Sequence, residues 1–188
     1  MERRRAVILF KRWLPYLIPW IDVLLRTTER WKRRYYAYRV RRQVRTMGDG
    51  LWIGGPTELS ENTVLGDNTH FTGMKVSGNG RVEIGDNFHS GPGSKIRTKT
   101  HNYDNGTAIP YDETWIEEEV IIGDNVWLGQ DVTVLPGVEI EEGAIIQAGS
   151  VVVDDIPKYA IAGGHPAEVF KYRDENHYER LKREGEFH

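Results

Sequence analysis

The chain contains no cysteine, so neither a disulfide framework nor a thiolate metal site can hold it together. That absence fits a reducing compartment. Long apolar runs are missing as well. The most hydrophobic stretch is interrupted by Lys11, Arg12, Pro15, Pro19 and Asp22, whereas a bilayer span needs about 20 consecutive apolar residues. No small-residue cleavage site follows, so a secretory signal is not expected either. An excess of charge is also lacking, since 25 Lys/Arg nearly balance 28 Asp/Glu. The balance conceals a split. Residues 1–47 carry 14 Lys/Arg against 3 Asp/Glu, and the remaining 141 carry 11 against 25.

Such a split predicts a basic helical arm (1–47) joined to an acidic globular body. In the arm, Trp13, Tyr16, Trp20, Trp31, Tyr35 and Tyr36 interleave with Arg and Lys. That pattern suits a helix lying in the headgroup region of an anionic membrane. The alternative is an arm packed on the body or on a neighbouring subunit with its basic face in water. On a helix Trp31, Tyr35 and Tyr38 share one face, while Tyr36, Val40 and Val44 lie roughly opposite. A cytoplasmic protein, peripheral at the inner membrane face and without a nucleic-acid partner, is the expectation.

The body is periodic. Every sixth residue from Ile116 is aliphatic: Ile116, Ile122, Leu128, Val134, Ile140, Ile146 and Val152. Four residues beyond each stand Val120, Val126, Val132, Val138, Ala144, Ser150 and Ile156. Upstream the comb runs through Ile53, Leu59, Leu65 and Phe71, slips by one residue, and resumes at Gly78, Ile84, Ser90 and Ile96. A period of six fits neither a 3.6-residue helix nor a simple hairpin sheet. It fits short strands ending in corners, wound into a solenoid with the aliphatic residues inside. The fold expected is an all-β, left-handed parallel β-helix over 48–170, followed by a short capping helix over 171–188. Between Ile96–His101 and Ile116 the comb breaks. Fourteen residues, Asn102 to Trp115, are inserted at one corner, and such an excursion from a rigid scaffold is more often functional than structural.

This comb, with "IGDN" at Ile84 and again at Ile122, resembles the hexapeptide-repeat acyltransferase superfamily, in particular the maltose/galactoside and polysaccharide-sugar O-acetyltransferase group. The resemblance implies a homotrimer whose active sites lie between neighbouring prisms. It also implies that His101, fourteen residues beyond Asn87, is the general base toward an acceptor hydroxyl. An imidazole with an ordinary pKa of about 6.5 suits that task. The stretch "VWLGQDVTVLPGV" (126–138) is the next recognisable one. By resemblance, Trp127 walls the cleft, Gly129 lets the backbone approach closely, and the backbone N–H of Gln130 faces the thioester carbonyl. Taken alone, Trp127 could equally pack on a prism face.

The same resemblance places acetyl-coenzyme A along Ala148–Gly149–Ser150 and the Gly164–Pro166 turn, with Lys171 and Arg173 reaching its phosphates. The family's usual Thr-Lys after the Gly-Ser corner is replaced here by Val153 and Asp154, so one phosphate contact is lost or substituted. On the acceptor side His70, Phe71, Asn87, His89 and Tyr103 are the candidates, with a sugar as the substrate class. Asp112 is expected to order the loop rather than touch substrate. No metal is expected: a γ-class carbonic anhydrase holds zinc with two histidines five residues apart, and Gly106 and Ile96 occupy those positions around His101. The activity implied is acetyl-coenzyme A-dependent O-acetylation of a sugar hydroxyl. N-acetylation of an aminosugar nucleotide and a non-catalytic hexapeptide scaffold are the rival readings.

Overall fold

The computed structural model describes residues 27–188. The expectations for Trp13, Tyr16 and Trp20 lie outside these residues. Residues 27–43 form a helix (α1) whose course divides along the lines its sequence suggests. Trp31, Tyr35 and Tyr38 are exposed, whereas Val40 is fully buried and Tyr36, Ala37 and Val44 pack against the core of the body. Among the described residues no helix is long and apolar enough to cross a membrane.

From Thr46 onward the chain winds into a parallel β-helix with three faces. The first face stacks Thr46–Met47, Thr63–Leu65, Val82–Ile84, Val120–Ile122 and Glu139–Ile140. The second stacks Trp52–Ile53, His70–Phe71, His89–Ser90, Trp127–Leu128, Ile145–Ile146 and Ala160–Gly164. The third stacks Met74–Ser77, Ser94–Arg97, Thr133–Val134 and Val151–Val152. The coils bury their comb residues except at Gly78, which is half-buried because Val76, in register with Ile96, takes the inward place, and at Ile116. Ile96, Leu128, Val134, Ile140, Ile146 and Val152 are all 0% exposed, and so are Val126 and Val132 from the second comb. At about 1.5–3 kcal/mol per fully buried aliphatic side chain, this core outweighs any single corner hydrogen bond at about 0.5–1.5 kcal/mol.

The corners explain the recurring Gly-Asp-Asn. Asp67, Asp86 and Asp124 each accept from the backbone N–H of the coil below: Asp49 N–H at 2.7 Å, Asp67 N–H at 2.7 Å and Asp86 N–H at 2.8 Å. Beside them Asn68, Asn87 and Asn125 form an amide ladder, with Asn68 donating to Asn87 (2.9 Å) and Asn87 to Asn125 (3.0 Å). All three sit at positive φ (52°, 54° and 58°), a conformation that asparagine tolerates better than most side chains. The ladder stops where the next coil has Glu142–Gly143.

Two details differ from expectation. The excursion is longer than a loop over 102–115: it leaves the prism after Thr98 and rejoins it at Val120. Within it Lys99–His101 pairs antiparallel with Trp115–Glu117. Ile116 is therefore a hairpin residue opposite Thr100, and Val120, stacked on Val82, is the first core position of the returning chain. At the other end, residues 167–172 are a strand turned back antiparallel on Ala160–Gly164. The helix α2 (Glu175–Glu184) starts only after it, capped by the Asp174 side chain and closed by Gly185 at φ 71°. This helix runs along the corner rather than across the end. Tyr178 bonds Glu142 (3.0 Å), Lys182 bonds Glu142 (2.5 Å), and the tail reaches down to Asn68, which donates to the His188 carbonyl.

Candidate active site

The hairpin is closed at its neck by the Glu118 N–H donating to Thr98 O (3.0 Å). Its register sets Trp115 opposite His101 and Glu117 opposite Lys99. Beyond His101 the chain is tied by Asn102, whose N–H donates to Thr114 O (3.2 Å) and whose amide donates to the Thr114 hydroxyl (3.1 Å). Asp112 is the knot of the loop. Its carboxylate accepts from the N–H and hydroxyl of Thr114 (2.9 and 2.5 Å) and from the N–H and hydroxyl of Thr107 (2.7 and 3.2 Å). These bonds, led by the Thr114 hydroxyl, hold its carboxyl well below the usual carboxylate range. The ordering role expected of Asp112 matches this geometry.

His101 is held between two aromatic rings. Tyr111 stacks on it at 3.7 Å between centroids with 17° between the planes, and Trp115 lies 3.9 Å away at 32°. Nδ1 is buried without a hydrogen-bond partner. No hydrogen bond to Nε2 is found among the described residues either. The imidazole is thus oriented by stacking rather than by a hydrogen bond donated to a carboxylate. A ring fixed in this way, with Nε2 uncommitted, can accept a proton from a group placed beside it. It opens on a cavity of about 270 Å³ lined by Ser77, Arg97, Lys99, Thr100, His101 and Trp115. The Lys99 ammonium lies 4.2 Å from the centroid of the same Trp115 ring.

A larger cavity, about 630 Å³, lies between the second face and the C-terminal segment. It gathers Asn87, His89, Trp127 and Arg173 of the predicted residues, together with Tyr178, Lys182 and Phe187. Trp127 stands 54% exposed, in register with His89 on one side and Ile145 on the other. The His70 and His89 rings meet at 4.4 Å between centroids, tilted by 57°, and His188 stacks on His89 at 5.2 Å. Burial first, and then the neighbouring His188, lowers the pKa of His70; burial, His70 and His188 lower that of His89.

Three acceptor candidates change meaning here. Phe71 alternates with His70 along its strand and so points inward, 0% exposed against Phe88, which removes it from any surface site. Asn87 uses both ends of its amide in the corner ladder. Tyr103 is 64% exposed, linked to His101 only through its N–H to the His101 carbonyl (3.0 Å), while Tyr111 takes the place against the imidazole.

The remaining predicted positions line two corners. The backbone N–H of Gln130 has no acceptor among the described residues, although its carbonyl accepts from Gly149 N–H (2.8 Å). A side chain at Gly129 would press on Ala148 N at 2.6 Å, so glycine permits the coils to touch there. Ser150 is 1% exposed, and its hydroxyl donates to Gln147 O (2.7 Å) while accepting from Gly164 N–H (3.1 Å). It thereby ties the Ala148–Gly149 corner to the turn carrying Gly164 and Pro166. Open space surrounds Gly149. Lys171 is exposed and makes no ion pair among the described residues, but Arg173 is committed: its guanidinium donates to Gly143 O (3.1 Å) and lies over Tyr178 at 4.9 Å. Within one chain, then, His101 and the Trp127 cavity are separate places.

The model described as bacterial transferase hexapeptide (six repeats) matches residues 119–154. The galactoside O-acetyltransferase of Escherichia coli (strain K12) is 30% identical over 144 residues, covering 71% of this chain and 68% of that protein. The solved structure of a galactoside acetyltransferase in complex with coenzyme A superposes with a TM-score of 0.62 at 29% identity, covering 73% of this chain and 67% of the other. A maltose O-acetyltransferase from Clostridium difficile 630 gives 0.51 at 29% identity, covering 69% and 67%. The chain spans 58%, 52% and 42% of the length of three further curated relatives, from Saccharomyces cerevisiae, Bacillus subtilis and Schizosaccharomyces pombe.

Proposed function

Because this chain belongs to the hexapeptide-repeat acyltransferase superfamily, we propose that it transfers an acetyl group from acetyl-coenzyme A to a sugar hydroxyl, with His101 as general base. The observation that carries the reading is the imidazole stacked between Tyr111 and Trp115, without a hydrogen-bond partner, on the lining of the cavity at the neck of the hairpin. His101 takes the proton of the acceptor hydroxyl as that oxygen bonds to the thioester carbon. The free N–H of Gln130 receives the carbonyl oxygen as it gains charge. When the carbon–sulfur bond breaks, the thiolate leaves and takes the proton back from His101. The open backbone around Gly149, and the tie between Ser150 and Gly164, support a pantetheine path along that corner. The cleft is completed by a neighbour in a homotrimer, a reading supported by His101 lying apart from the Trp127 cavity within one chain. Arm residues 1–45 bring the enzyme to an anionic, cytoplasmic membrane face, where the sugar is carried on a lipid.

Replacing His101 by Ala tests the base. Turnover should fall by about 10²–10⁴-fold, while acetyl-coenzyme A still raises the melting temperature of the variant. Undiminished turnover would end the proposal. For the arm, equal binding to anionic liposomes by chains with and without residues 1–45 would remove the membrane contact.

A further inference from the structure

The small cavity beside His101 has a chemistry that a neutral acceptor does not call for. Arg97 and Ser77 are lateral partners on the third face, and Lys99 and Thr100 follow at the start of the hairpin. All four line the same 270 Å³ as His101. Neither cation makes an ion pair among the described residues. The carboxylates nearby are otherwise engaged: Glu117, opposite Lys99, accepts from Asn79 (3.1 Å), and Glu58 pairs with Lys75 (3.4 Å). Lys99 is not loose, because its ammonium is held over the Trp115 ring, which also packs on His101. One indole thus fixes a cation and the imidazole together.

We propose that the acceptor carries a phosphoryl group and that Arg97 and Lys99 bind it, setting the hydroxyl to be acylated against His101. This rests on the acyl-transfer reading above. A planar guanidinium fork and an ammonium suit an anion with several oxygens, and the hydroxyls of Ser77 and Thr100 can donate to those that remain. A carboxylate would be satisfied by the guanidinium alone. The group could belong to a sugar phosphate, a nucleotide sugar or a lipid-linked phosphate, which share this recognition chemistry.

The test is equilibrium binding to the full chain, measured by calorimetry with glucose 1-phosphate, glucuronate and glucose as probes. Glucose 1-phosphate should bind at least about tenfold more tightly than either of the others. Arg97→Gln and Lys99→Gln should each reduce that preference by about tenfold, the loss of one charge-assisted contact. Lys95→Gln removes the same charge from the same face outside the cavity and should leave the preference intact. Equal binding of the three probes, equal loss in Lys95→Gln, or a preference for glucuronate would overturn the phosphoryl site. So would an Arg97→Gln or Lys99→Gln variant that loses affinity for acetyl-coenzyme A instead, since the cavity would then serve the donor. The two readings fail separately. A phosphate preference in a chain without transferase activity sinks only the catalytic reading, and transferase activity without the preference sinks only this one.

Discussion

Replacing Asn87 separates two roles that its position allows. Its side chain lines the larger cavity, as a sugar contact would, yet it also bonds the corners above and below at 2.9 and 3.0 Å. If the ladder is its role, Asn87→Gly removes two hydrogen bonds and costs about 1–2 kcal/mol. Asn87→Ala removes the same bonds and also forces a Cβ into the left-handed region at φ 54°, adding about 1–2 kcal/mol. At about 2–4 °C per kcal/mol for a chain of this size, the melting temperature should drop by about 2–8 °C for glycine and further for alanine. Thermal unfolding followed by circular dichroism at fixed protein concentration reads both shifts, and acceptor KM at a temperature where all variants are folded reads the other role. The ladder reasoning fails if alanine is as stable as wild type, or more stable than glycine. A raised KM with unchanged melting would assign Asn87 to the ligand instead.

Asp112→Ala should unfasten the loop without touching the prism: proteolysis between 102 and 114 accelerates, while melting moves by less than about 2 °C. A large fall in melting temperature would mean that the hairpin supports the scaffold. The His70–His89 pair predicts a pH dependence. Both pKa values are lowered in the folded chain relative to 6.5, so the unfolded chain binds more protons just below that value. The stability is present above about 6.5 and is lost as pH falls through the folded pKa values. Urea midpoints measured from about pH 8 down to about pH 5 should decline, and the His70→Gln/His89→Gln double variant should flatten the decline. An unaltered slope in that variant would place the titration elsewhere.

The prism was legible because its signal is repeated. Ile122, Leu128, Val134, Ile140, Ile146 and Val152 each report the same inward direction, so one ambiguous position cannot mislead. His101 was legible because it stands where the repeat breaks. Its partners were not. Tyr111 and Trp115 reach the imidazole through antiparallel pairing inside the excursion, a period-two relation hidden within a period-six chain. Phe71 became an acceptor candidate only through the resemblance, and its burial follows instead from its place in the inward comb. Tyr103, a candidate from the inserted loop, is carried outward by the turn that follows His101. Arg173 looks like any surface cation until α2, whose Tyr178 it covers, is in place.

The neck at Thr98 and Glu118 has a consequence for how this molecule can change. Those two residues meet through one backbone bond, and immediately beyond them Val120 stacks on Val82 as though nothing intervened. The hairpin is closed by its own pairing and its own carboxylate knot, so the scaffold owes it almost nothing. It behaves as a cassette plugged into a socket. Sequence drift or deliberate grafting between 99 and 117 can rewrite what is recognised beside the prism while the coils keep their register.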